Sequence, residues 1–141
     1  MSAPTPFNVM GLDHVVLRVN DLERSSNFYE NILGCGLERE LPELGLYQYR
    51  AGRQIIDLVP VGSKLGGSNP VNQAAKNLDH FCLIISPFNE NEIRAFLAGH
   101  GIECSETLER YGAEGFGRSV YIEDPDGNIV ELKEGSRGMS D

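Results

Sequence analysis

The chain has 141 residues, enough for one compact domain with its own hydrophobic core. Its formal net charge is −9, from 21 acidic and 12 basic residues, which argues against nucleic acid or an anionic membrane as a partner. With no apolar run near membrane-span length, no secretion-signal pattern and three unpaired, widely spaced cysteines, we expect a soluble cytoplasmic protein.

The first half of the chain predicts a strand, a helix and three further strands. Alternating apolar residues predict a strand over 13–19, with His14 and Arg18 on the same face. Apolar residues at helical spacing then predict a helix over 22–33, ended by glycine. Turn residues separate three strands predicted at Leu37–Glu40, Leu46–Arg50 and Gln54–Val59.

The second half repeats this order after a connection over residues 60–77, which are rich in Gly, Pro, Ser and Asn. The predicted elements are a strand at His80–Ile85, a helix near Glu90–Gly99, and strands at Glu103–Leu108, Ser119–Glu123 and Ile129–Leu132. The turn DPDGN at 124–128 joins the last two strands. The glycine-rich segment 110–119 is either a mobile flap or a plain connector.

The tripeptide LDH opens both halves, at 12–14 and 78–80. The common order predicts a duplicated βαβββ module, over about 11–59 and 78–133, in a single domain at 10–134. Residues 1–9 and 135–141 are predicted to be tails. A single module leaves one face of its sheet uncovered, so we expect the two modules to share a surface.

Two histidines and two acids occupy matched places in the halves. A lone strand histidine is usually structural, but the equivalence of His14 and His80 favours a metal held by both halves. Asp57 and Glu131 each interrupt an apolar strand, the last of their half, where a carboxylate is costly unless it is paired, coordinated or solvent-facing. The four residues make one possible ligand set for a divalent metal.

Three segments, DHVVLRVNDLERSSNFYENILG, LDHFCLII and YIEDPDGNIVEL, resemble the vicinal oxygen chelate superfamily, particularly its glyoxalase I-like members. The resemblance covers most of residues 11–134. It implies an α+β fold in which two βαβββ modules form a cupped mixed sheet around one divalent metal ion: nickel, zinc, manganese, cobalt or iron. The metal ligands it implies are His14, Asp57, His80 and Glu131.

The resemblance also implies a reaction. It is that of a metal-dependent lyase or isomerase acting on a small carbonyl or thiol-adduct substrate, such as a glutathione adduct. Glu131, or secondarily Asp57, takes a proton, and the metal stabilises the enediolate. Arg18 matches an arginine that contacts the glutathione part of the substrate, although an ion pair with an acid is an equal interpretation.

Two other functions stay open because glyoxalase I-like enzymes usually carry glutamate where this chain has Asp57. One is a non-catalytic protein that binds a small molecule, as bleomycin-resistance proteins do. The other is an iron(II) ring-cleaving dioxygenase. For any of them we expect a homodimer, since cupped modules leave a large sheet surface to cover.

Overall fold

The computed structural model describes residues 5–6 and 8–135, and it shows an α+β fold of two βαβββ units. The first contains β1 (His14–Val19), α1 (Leu22–Ser26) continuing as a π-helix (Asn27–Ile32), β2 (Leu37–Leu41), β3 (Leu46–Ala51) and β4 (Gln54–Pro60). The second contains β5 (His80–Ile85), α2 (Glu90–Gly99), β6 (Leu108–Gly112), β7 (Gly115–Glu123) and β8 (Ile129–Glu134). The predicted fold class is confirmed. The predicted tails lie largely outside the described residues.

Each unit forms its own four-stranded sheet, in the order β1-β4-β3-β2 and β5-β8-β7-β6. The first and last strands of each unit are parallel neighbours, and the other pairs are antiparallel. The strand that carries each predicted histidine therefore lies directly beside the strand that carries the predicted carboxylate of the same unit.

Alternation along the strands gives each sheet a core face and a second face, which we call its open face. On β1, Leu17 and Val19 are buried, whereas Val16 is 50% exposed on the open face with His14 and Arg18, as predicted. Side chains from both units join in one hydrophobic cluster: Leu17, Val19, Phe28, Tyr29, Tyr49, Ile56, Leu58, Leu97, Val120, Ile122, Val130 and Leu132. Burial of this shared cluster holds the two units together.

The helix predicted over 22–33 is present, but it changes from α to π geometry at Asn27. Asp21 caps its start by accepting a hydrogen bond from the backbone N–H of Arg24, at 3.1 Å. Gly34 follows its end with φ +80°, a conformation that glycine adopts without steric cost. None of the helices in the described part of the chain is long and apolar enough to cross a bilayer.

The DPDGN turn of the second unit anchors the helix of the first. Asp124 Oδ2 accepts a 2.6 Å hydrogen bond from the hydroxyl of Tyr29, and Asp126 Oδ2 accepts one from Ser25 Oγ at 3.3 Å. Asp126 Oδ1 also accepts from the backbone N–H of Asn20 at 3.2 Å. Burial raises the pKa of Tyr29 and that of Asp126. Both buried carboxylates thus bind the first unit to the second.

The glycine-rich segment is neither a flap nor a connector. It forms most of the β6–β7 hairpin, whose turn is at Ala113 and Glu114 and is followed by Gly115 with φ +91°. The strand predicted at Glu103–Leu108 is wrong, because β6 begins only at Leu108. Before β6, the hydroxyl of Ser105 rather than a backbone carbonyl accepts the hydrogen bond from the backbone N–H of Tyr121, at 2.8 Å, and Arg94 Nη2 donates to the carbonyl of Ser105 at 2.7 Å. The glycines that suggested a loop lie in paired strands.

Candidate metal centre

The open face of the second sheet brings His80 and Glu131 together. Nε2 of His80 lies 3.4 Å from Oε1 of Glu131, whose side chain is buried and 6% exposed. The ring of His80 packs edge-on against Tyr121, with centroids 5.4 Å apart. Cys82 lies beside Glu131 in the strand register. Desolvation and the charge of Glu131 raise the pKa of Cys82 to about 11, so its thiol stays protonated at neutral pH.

The open face of the first sheet carries the equivalent pair, His14 and Asp57. Asp57 is 4% exposed, so it is not the solvent-facing acid of the simpler interpretation. Its Oδ1 accepts a hydrogen bond from Nε2 of Gln48 at 3.1 Å. A hydrogen bond to Asp13 raises the pKa of His14, and the charge of Asp57 raises it further, against the opposing effect of desolvation.

Each histidine is oriented by the aspartate that precedes it. The distance from Nδ1 of His14 to Oδ2 of Asp13 is 2.7 Å, and that from Nδ1 of His80 to Oδ2 of Asp79 is 2.8 Å. When Nδ1 carries the proton and donates it, Nε2 is left with its lone pair free to bind a metal. The sequence interpretation missed both aspartates, although the repeated LDH includes them.

The two pairs do not form one cluster within a chain. Across residues 5–6 and 8–135, no three His, Cys, Asp or Glu side chains are grouped as a metal site. The pairs lie in different sheets, each on an open face. Two imidazoles and two carboxylates are nonetheless a donor set that suits a divalent transition metal, so the residues fit such an ion if both pairs come together.

Comparison with known proteins identifies the family. The family model of the Glyoxalase/Bleomycin resistance protein/Dioxygenase superfamily matches residues 11–132. The chain belongs to this superfamily. It is similar to virulence protein STM3117 of Salmonella typhimurium, with 31% identity over 129 residues that cover 87% of this chain and 83% of the relative.

Solved structures agree with this membership of the superfamily. The crystal structure of STM3117 matches with a TM-score of 0.73 and 28% identity, covering 92% of this chain and 99% of that one. The crystal structure of a lactoylglutathione lyase from Agrobacterium tumefaciens matches with a TM-score of 0.66 and 26% identity, covering 96% and 100%. The superfamily fold extends over nearly the whole chain.

The side chain of Arg18 contacts the segment that connects the two units, residues 60–77. Its Nε donates to the carbonyl of Gly66 at 2.7 Å, and its Nη2 donates to the carbonyl of Asn69. In the part of the chain that the structure describes, Arg18 forms no ion pair with an acid. Arg18 holds the connection beside the open face that carries His14.

Proposed function

We propose that this protein is a metal-dependent lyase or isomerase of glyoxalase type. The observation that carries the proposal is the pair of histidine and carboxylate side chains on neighbouring parallel strands, repeated in both units. His14 and His80 would bind the metal through Nε2, and Asp57 and Glu131 through carboxylate oxygens. Nickel, zinc, manganese, cobalt and iron all accept this donor set. The likeness to a lactoylglutathione lyase supports the reaction class.

In this proposal the two pairs meet across a homodimer. The open face of each sheet presents an apolar side chain near its histidine, Val16 in the first sheet and Ile84, 48% exposed, in the second. Covering such apolar surface is favourable. The open face of the first sheet of one chain would cover that of the second sheet of the other. Each of the two sites then takes one pair from each chain.

The chain's own carboxylates differ in their fitness to act as a base. When bound, the metal would act as a Lewis acid that polarises the oxygen atoms of a small carbonyl or thiol-adduct substrate. Asp57 is held by the amide of Gln48, and it is one methylene shorter than glutamate. Glu131 has His80 as its side-chain partner among the described residues. Glu131 is therefore the base that takes the substrate proton, and Asp57 serves mainly as a ligand.

The proposed substrate is a hemithioacetal or an acyl thioester, glutathione adducts included. Arg18 would contact this substrate from the edge of the open face. The segment 60–77, to which Arg18 is hydrogen-bonded, would lie beside it. The three cysteines are free thiols, which is consistent with the reducing cytoplasm that we propose as the location.

Metal analysis of protein purified without added metal tests the site. We expect about one divalent ion per chain, most of it lost in His80→Ala and in His14→Ala, because removal of one ligand opens the coordination shell. Unchanged metal content in both variants would remove these residues from the site. The reaction is tested by NMR in deuterated water, where the metal-loaded protein should exchange the α-proton of a hemithioacetal or an acyl thioester. Absence of exchange would favour a non-catalytic binding protein.

A further inference from the structure

Two cations, Arg110 on β6 and Lys133 on β8, lie on the same open face as His80 and Glu131. In the strand register Lys133 is opposite Ser119, and Arg110 is opposite Gly117, two residues earlier on β7. Lys133 follows Glu131 by two residues, so both project from the same side of β8. The charge of Lys133 acts on the thiol of Cys82, which lies on this face.

Arg110 is held in one position. Its Nη1 donates to both the carbonyl and the hydroxyl oxygen of Ser119, at 2.8 Å each. Its guanidinium carbon lies 4.3 Å from the ring centroid of Tyr121, and the same ring packs edge-on against His80. No carboxylate of the described residues is within ion-pairing distance of Arg110. The rest of its planar fork is therefore available for an oxyanion.

Lys133 is buried, with only 4% of its surface exposed. Two glycines leave room for it: a Cβ at Gly112 would lie 3.3 Å from its Cε, and a Cβ at Gly117 would lie 3.2 Å from its Nζ. No described carboxylate lies within ion-pairing distance of its ammonium group. The ammonium nitrogen itself reaches the surface of the open face, because it makes no hydrogen bond and no buried side-chain nitrogen or oxygen of the described residues lacks one. In a chain with a net charge of −9, two neighbouring cations without an acidic partner indicate a ligand.

We propose that Arg110 and Lys133 bind an oxyanion of the substrate, a carboxylate or a phosphoryl group. The inference rests on the proposed function, since it makes the substrate of the metal site a small anion. The ammonium of Lys133 lies beside Gly117, four residues along β7 from Tyr121, which is opposite Glu131 in the register, so the substrate would be extended enough to reach from the cations to Glu131. The anionic end of the substrate would bind these cations while the carbon that loses its proton lies at Glu131.

NMR titration of metal-free protein at constant ionic strength tests the site, with inorganic phosphate in one series and acetate in another. Wild-type protein should show saturable shifts at the backbone amides of Arg110 and Ser119. Arg110→Gln and Lys133→Met should each weaken this binding about tenfold or more, since each removes a charge-assisted contact. Arg53→Gln and Lys64→Met remove exposed cations elsewhere and serve as matched controls that should bind like wild type.

The two series distinguish the ligands: the anion that binds more tightly identifies the group as phosphoryl or carboxylate. Failure of wild-type protein to bind either anion, or wild-type affinity in both variants, would overturn the proposal. If Lys133→Met does not give the circular dichroism spectrum of the wild type, Arg110→Gln decides, because Arg110 is only half-buried. Since no metal is present, the result is independent of the metal analysis. Anion binding without metal binding would contradict only the proposed function.

Discussion

The hydroxyl of Tyr29 donates a 2.6 Å hydrogen bond to Asp124, 95 residues further along the chain and in the other βαβββ unit. Both side chains are buried, so no water replaces the hydroxyl if it is removed. Tyr29→Phe should lower the free energy of unfolding by about 1–3 kcal/mol, measured by urea denaturation. Tyr111→Phe is the matched control at an exposed tyrosine and should have little effect. Equal losses in the two variants would contradict this role of the bond.

Asp126 should make stability fall with rising pH. Its burial raises the pKa of its carboxyl group above the value in the unfolded chain, so the folded protein binds this proton more tightly. Stability from this group is present below the unfolded pKa and is lost as pH rises through the folded one. Asp126→Asn removes the titration. The free energy of unfolding of Asp126→Asn relative to wild type should therefore rise as the pH increases above the ordinary pKa of an aspartate carboxyl group, and a flat or falling difference would contradict the prediction.

Asp13 and Asp79 should strengthen metal binding through the histidines that they orient. Asp13→Asn and Asp79→Asn should each weaken metal affinity about tenfold, the lower end of the range for such outer-shell partners, because both carboxylates are exposed to water. Competition with a chromophoric chelator measures the affinity. Glu43→Gln, an exposed acid without such a contact, is the control for charge alone. Affinities equal to that of the control would show that the two aspartates do not act on the metal.

Mixing of inactive chains tests whether the sites are shared. If each site takes His14 from one chain and Glu131 from the other, a heterodimer of His14→Ala and Glu131→Ala chains contains one intact site. Random pairing of equal amounts should restore about a quarter of the wild-type activity. Sites contained within single chains would give no recovery. Light scattering that detects only a 15.5 kDa species would exclude the homodimer itself.

Glu131 should matter more for turnover than for metal content. Glu131→Gln, once loaded with metal, should lose on the order of 10²-fold or more in rate if Glu131 is the base. Asp57→Glu restores the longer side chain at the other carboxylate position and should raise glyoxalase-type activity if reach limits it. Proton exchange by NMR measures both. Wild-type turnover in the metal-loaded Glu131→Gln protein would assign the base elsewhere.

The sequence predicted the strands and helices in which the local residue pattern matches the faces that are buried in the fold. Alternation placed His14 and Arg18 on one face of β1, and the LDH repeat indicated two equivalent units. The β6–β7 hairpin was missed because glycine weakens strand propensity wherever it stands. At Gly112 and Gly117 the absence of a side chain makes room for Lys133. This contact joins different strands, so the local sequence pattern does not predict it.

The contacts around the candidate ligands were predictable only in part. The aspartates next to the histidines could be found in the repeat, since both copies contain them. The bond from Gln48 to Asp57 depends on the pairing of β3 with β4, and the stacking of Arg110 on Tyr121 depends on the hairpin register. Such partners come from register and packing, which sequence spacing does not specify.

The anchoring turn makes the two units unequal. The corresponding turn of the first unit is only Gly52 and Arg53, which offer no carboxylate to a helix in the other unit. Only the second unit supplies Asp124 and Asp126. A protein built from two copies of the first unit would leave both helices without these anchors, and we expect it to be less stable. The two units are thus complementary rather than interchangeable, because the helix of the first is anchored by a turn that only the second supplies.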